Sequence, residues 1–107
     1  MWNATIISLG GAFLYGIHVR GQWTEACHPK WDALFETGLD RHMKEIAASK
    51  ARVWLSTVPY PLGSYDNARR RRAVDCINAS IRKITTRYPG TKILDLFTML
   101  CPQGACE

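Results

Sequence analysis

The sequence predicts an α/β domain built on a parallel sheet, and three observations carry that expectation. Three compact apolar runs occur, one near the start, one in the middle and one near the end, each lacking a helical stripe. Two longer segments between them place apolar residues at steps of three and four. The resulting order is strand, helix, strand, helix, strand. Each helix is long enough to return the chain to the same end of a sheet, so parallel pairing with right-handed crossovers follows.

The first run, Thr5-Ile6-Ile7-Ser8-Leu9, is apolar and β-branched and stops at Gly10-Gly11, as a buried strand entering a glycine turn does. Residues 12–27 have weak periodicity and read as a long loop with a turn of helix. Pro29 suits the first position of a helix. Trp31, Leu34, Phe35, Leu39, Met43, Ile46 and Ala47 then form one apolar stripe, which predicts a helix to about Ser49. Residues 52–58 form the second strand and stop at Pro59 and Pro61. A loop rich in Pro, Gly, Ser, Asp and Asn follows, and Asp66 or Asn67 can cap the next helix. Val74, Ile77, Ile81, Ile84 and Tyr88 keep helical spacing until Pro89-Gly90. Residues 92–96 are the third strand, followed by a short helical turn and a small loop between Cys101 and Cys106.

At 107 residues the chain makes one domain at most, and 47% hydrophobic residues suit a packed core rather than disorder. The formal net charge is +5, part of it in the run Arg69-Arg70-Arg71-Arg72. No aromatic residue interleaves the run and no nucleic-acid motif surrounds it, so it reads as the solvated start of a helix. A basic module that binds a polyanion is the alternative reading; nucleic acid is not an expected partner. No stretch approaches the ~20 apolar residues of a membrane span. No basic n-region opens the sequence, so no signal peptide is expected.

The four cysteines, Cys27, Cys76, Cys101 and Cys106, are an even number, which fits disulfides and an oxidising compartment, and they leave three pairings open. Cys76 also reads as a small buried hydrophobe on a helix. Zinc is disfavoured, because structural sites bring ligands in tight pairs such as C-x2-C and none occurs here. No metal or cofactor is expected.

The sequence holds no complete catalytic set. Gly10-Gly11 is part of neither a dinucleotide fingerprint nor a P-loop. Ser8, Ser56 and Ser64 lie outside any G-x-S-x-G elbow, and His18, His28 and His42 are scattered. Asp32 and Asp40 read as solvated carboxylates. Asp95, inside an apolar strand, must be satisfied by something, and its expected role is to cap or tie the following turn. The sequons at Asn3 and Asn78 read as chance matches. Any site is expected beyond the carboxyl ends of the strands, at Gly10-Gly11-Ala12, Thr57-Val58-Pro59 and Asp95-Leu96-Phe97.

Several motifs form a pattern in order. They are Leu9-Gly10-Gly11-Ala12-Phe13, Pro29-Lys30-Trp31-Asp32-Ala33, Val53-Trp54-Leu55-Ser56-Thr57-Val58-Pro59, Cys76-Ile77-Asn78, Leu94-Asp95-Leu96 and Cys101-Pro102-Gln103-Gly104-Ala105-Cys106. Together they resemble the SGNH-hydrolase-like domain, in the version fused to the bacterial membrane acyltransferase-3 proteins, the O-acetylases of lipopolysaccharide and peptidoglycan. The resemblance spans nearly the whole chain, and the CP-x-G-x-C loop is its most specific part.

The resemblance implies a flavodoxin-like, three-layer α/β/α fold, here reduced to about three strands and two main helices. It implies a Ser-His-Asp site that transfers acyl groups to sugar hydroxyls, a cell-surface glycan acceptor, a membrane acyltransferase-3 partner domain and a periplasmic or extracytoplasmic location. It also implies a structural disulfide between Cys101 and Cys106 that buttresses the segment ahead of the family's Asp-x-x-His pair. The departures are specific. The sequence holds neither the family's Gly-Asp-Ser nor its Asp-x-x-His, so no catalytic residue is assigned. Ala12 or Phe13 stands where the wider superfamily places an oxyanion-hole asparagine, which leaves backbone N–H groups at Gly11 and Ala12 as donors. The expectation is a fragment of a larger protein, inactive by itself, of marginal stability and prone to self-association through exposed sheet surface.

Overall fold

A computed structural model describes residues 4–7, 17–49, 52–103 and 106. In chain order the elements are strand β1 (Ala4–Ile7), strands β2 (Ile17–Val19) and β3 (Gln22–Thr24), helix α1 (Pro29–Ala48) and strand β4 (Arg52–Ser56). A 3-10 turn at Gly63–Tyr65, helix α2 (Ala68–Thr85), strand β5 (Thr91–Leu94) and the short helix α3 (Leu96–Leu100) follow. β1, β4 and β5 form a three-stranded parallel sheet in that order, with Thr5 opposite Val53 and Leu55 opposite Ile93. The mixed α/β class and the strand-helix alternation are therefore as the sequence predicts.

The strands pair in chain order, so successive crossovers advance the same way across the sheet and lay their helices on one face. α1 and α2 accordingly pack against each other. Val53 and Leu55 point into the core they enclose, with Trp31, Leu39 and Met43 from α1 and Val74, Ile77, Ile81 and Ile84 from α2. Trp54 and Lys92 pair on the opposite face, where the Lys92 ammonium lies 5.6 Å from the Trp54 ring centre. The described residues thus supply two layers, sheet and helix pair; a third layer is not among them.

Several local expectations are corrected. The segment read as a long loop contains an antiparallel hairpin, β2–β3. Its two-residue turn places Arg20 at φ 52° and Gly21 at φ 79°. Two successive positive φ values match the twist of flanking strands, and three-residue strands are too short to show alternation in sequence. Leu34 leaves the predicted apolar stripe of α1 and is 48% exposed. β4 stops at Ser56 because Val58 turns to the side-chain amide of Asn78, donating to Oδ1 at 2.7 Å and accepting from Nδ2 at 2.9 Å. β5 stops at Leu94 because Asp95 caps α3. At the start of the chain, β1 begins one residue earlier than expected and residues 8–9 lie outside the described residues.

Cys76 is not a lone hydrophobe: it pairs with Cys27, and Cys101 pairs with Cys106, so all four cysteines are bonded. Two disulfides fit an oxidising, extracytoplasmic compartment. The carboxylates of α1 are also engaged. Asp32 Oδ1 accepts the Cys27 N–H at 3.0 Å. Asp40 accepts from the Tyr88 hydroxyl at 2.7 Å, and Glu36 accepts from Ser80 at 3.0 Å and pairs with Lys83 at 2.8 Å. These contacts lace α1 to the end of α2, and the Tyr88 hydrogen bond holds Asp40 below the usual carboxylate range. No helix among the described residues is long and apolar enough to cross a membrane.

Candidate functional site

Two polar clusters lie where the strands hand over to the helix layer. The first surrounds Asp95. A carboxylate that ends an apolar strand must find donors, and Asp95 finds four. Its Oδ1 accepts from the Thr57 hydroxyl at 3.1 Å and the Thr98 N–H at 3.2 Å. Its Oδ2 accepts from the Thr98 hydroxyl at 2.8 Å and from Arg82 at 3.2 Å. Thr57 completes the knot: its Oγ1 accepts the Phe97 N–H at 2.9 Å, and its own N–H donates to the Leu94 carbonyl at 3.1 Å. The Thr98 hydrogen bonds, with those of Thr57 and Arg82, pull the Asp95 pKa down to about 2 despite partial burial. A carboxylate so fully bonded is an anchor and a poor proton acceptor, which is the capping role expected of it.

The disulfide loop is fastened beside this knot. The Tyr60 N–H donates to Cys106 Sγ at 3.2 Å, and the Tyr60 ring meets Phe97 edge-on at 4.7 Å. Arg71 lies over the Tyr60 ring at 5.0 Å, while the Tyr60 hydroxyl donates to Asp75 at 2.7 Å. The Asp75 hydrogen bond raises the Tyr60 pKa. The structural disulfide implied for Cys101 and Cys106 is thus present.

Other sequence candidates are not brought together. Gly11 and Ala12, the backbone donors implied by the resemblance, lie outside the described residues, as do Gly10 and Ser8. Ser56 is buried and Ser64 exposed. His28 caps α1, its Nδ1 accepting the Lys30 N–H at 3.2 Å; His18 meets Trp23 edge-on at 5.3 Å; His42 is exposed on α1. Among the described residues no histidine bonds a serine, and no group of three potential ligands gathers to hold a metal.

The second cluster was not foreseen as a site. A cleft of about 500 Å³ opens between the β2–β3 hairpin and the first turns of both main helices. Trp23, Thr24 and Glu25 form one wall, Cys27, His28 and Pro29 the second, and Asn67, Arg69, Arg70 and Arg72 the third. Asn67 caps α2, accepting the Arg70 N–H at 2.8 Å, and Arg69 pairs with Glu25 at 2.5 Å. Arg71 points away from the cleft to Asp66, at 2.7 Å. The arginine run is therefore divided between two surfaces. Cys27 holds the corner with φ at 81°, a conformation costly for a residue with a side chain, and its disulfide to α2 keeps it there. The available signal was the position of the run directly after a capping asparagine, which puts several cations at the positive end of a helix dipole.

No family model, curated protein or solved structure matches the chain.

Proposed function

We propose that this chain is the scaffold portion of an SGNH-type O-acyltransferase or esterase domain, one that moves acetyl groups onto hydroxyls of cell-surface sugars. The observation that supports this reading is the fastening of the Cys101–Cys106 loop to Tyr60, beyond the carboxyl end of a parallel sheet, next to the Asp95 cap. Open α/β sheets hold their ligands at that edge. In this reading Thr57 and Asp95 fix the turn, the disulfide loop positions the segment that carries acid and base, and the oxyanion donors are the backbone N–H groups of Gly11 and Ala12 that the resemblance implies.

The serine, histidine and aspartate come from other parts of a parent protein, as does the acyltransferase-3 membrane domain that supplies the acetyl group. The parent resides in the periplasm, where the two disulfides persist. Alone, the chain transfers no acyl group. It also self-associates through uncovered surface such as Leu62, Met99 and Leu100, which sedimentation at rising concentration reads as a growing mean mass.

Sequencing the DNA on both sides of the reading frame tests the assignment. Gly-Asp-Ser codons upstream and Asp-x-x-His codons shortly downstream are the expected result, and unrelated sequence on both sides contradicts it. An ester-hydrolysis assay tests the chain itself: turnover that disappears in Ser56→Ala or Ser64→Ala contradicts the scaffold role.

A further inference from the structure

We propose that the cleft between the β2–β3 hairpin and the first turns of α1 and α2 binds a small molecule carrying a phosphoryl group on a ring. The group sits against Arg72 and the start of α2, and the ring lies on Trp23. The cleft's residues play no part in the acyl-transfer reading, and either can fail without the other.

Size comes first. About 500 Å³ is within the range of small-molecule sites and far below what a folded partner needs. Charge comes second. Three arginines line the cleft against one carboxylate, Glu25, which Arg69 already engages. Arg72 makes no ion pair among the described residues and is exposed at the cleft's edge.

Helix polarity adds to that charge. α2 has no acidic residue in its first turn, so no carboxylate within that turn offsets its dipole. The first N–H groups of a helix lack carbonyl partners, and the Asn67 side chain satisfies only that of Arg70. An anion seated there takes up the remaining donors and relieves the repulsion together. The start of α1 faces the same space through His28 and Pro29.

The third observation is independent of charge. Thr24 lines the cleft and is 4% exposed, yet its hydroxyl has no hydrogen-bond partner. Buried hydroxyls are nearly always paired, and among the described residues this is the lone buried side-chain oxygen or nitrogen that is not. A ligand oxygen at the hairpin wall supplies the missing partner. Finally, Trp23 forms part of the same wall and is 53% exposed, a flat apolar surface beside an anion site. A sugar ring or a nucleobase packs on such a face, and a bare ion gains nothing from it.

Isothermal titration of the full chain at low salt with inorganic phosphate, α-glucose 1-phosphate and AMP tests the proposal. Both ring-bearing phosphates are expected to bind more tightly than inorganic phosphate, and Trp23→Ala is expected to remove the difference. Whichever of the two binds better identifies the ring as sugar or base. Arg72→Gln is expected to weaken binding about tenfold or more, the effect of losing one charge-assisted hydrogen bond. Arg41→Gln, on an exposed part of α1 away from the cleft, leaves binding unchanged. Thr24→Val weakens binding without lowering Tm, because the free protein satisfies nothing through that hydroxyl. Absence of binding by all three compounds at millimolar concentration overturns the proposal. So does binding that Arg72→Gln leaves intact, or binding of heparin alone, which would make the basic surface a polyanion patch.

Discussion

Around Asp95 the polar groups answer one another; around Thr24 and Arg72 they do not. Asp95 accepts four hydrogen bonds, and Thr57 both donates to it and accepts from the backbone beyond it. In the cleft, among the described residues, the buried Thr24 hydroxyl has no hydrogen-bond partner and Arg72 has no ion pair. Each cluster carries its own disulfide: Cys101–Cys106 beside the knot and Cys27–Cys76 at the cleft. A network that closes on itself rigidifies a turn and leaves little affinity for anything else. A network left open among positive charges is where a ligand gains most.

The disulfides give the largest expected effect and separate the clusters. In chain-entropy terms, joining residues 49 apart stabilises by about 4 kcal/mol and joining residues 5 apart by about 2 kcal/mol. Replacing Cys27 and Cys76 together by serine is therefore expected to lower unfolding free energy roughly twice as much as replacing Cys101 and Cys106. Denaturant melts of the two double variants measure the ratio. Equal losses would mean that the long link contributes no more order than the short one.

Asp95→Ala comes next. It removes the cap of α3 and the four hydrogen bonds that Asp95 accepts, with an expected cost of about 2 kcal/mol. Arg72→Gln is expected to change stability by less than about 0.5 kcal/mol, as at an exposed side chain with no ion pair among the described residues. A thermal melt that ranks the two variants the other way would break the distinction between a closed and an open cluster.

A further effect is one of pH. Asp95 titrates at about 2 in the folded chain, below the ordinary aspartate value. Its contribution is fully present above pH 4 and is lost as pH falls from about 4 toward 2, because the unfolded chain takes up the proton first. Lys83 and Arg71 hold Glu36 and Asp66 low in the same sense. Between pH 4 and 2 the Asp95→Asn variant should therefore lose less stability than the parent chain. Parallel acid titrations of the two would show a common slope if the knot has no such role.

Much of the fold was legible because it rests on periodicity. The stripes of α1 and α2 and the three apolar runs specify helix and strand wherever one face is buried. The hairpin was hidden because Arg20-Gly21 is a weak turn signal and three-residue strands have no period to read. Asp95 stood out in sequence because a charge in an apolar run demands an explanation, and its explanation proved local. The cleft gave no comparable signal. Its walls come from two stretches far apart in the chain, Trp23 to Pro29 on one side and Asn67 to Ala73 on the other. The Cys27–Cys76 disulfide, one of three pairings open to Cys27 in sequence, and the Arg69–Glu25 ion pair join them. Arg69 to Arg72 are identical by type, and only tertiary contacts decide that Arg71 serves Asp66 and Tyr60 while Arg72 faces the cleft.

The most direct test is an amide NMR titration of the isotope-labelled chain with inorganic phosphate. The expected result is movement of signals from residues 24–28 and 67–73, with Thr57, Asp95, Phe97 and Thr98 unmoved. Movement confined to the Asp95 knot, or no movement at all, would contradict the account that the closed cluster is structural and the open one binds.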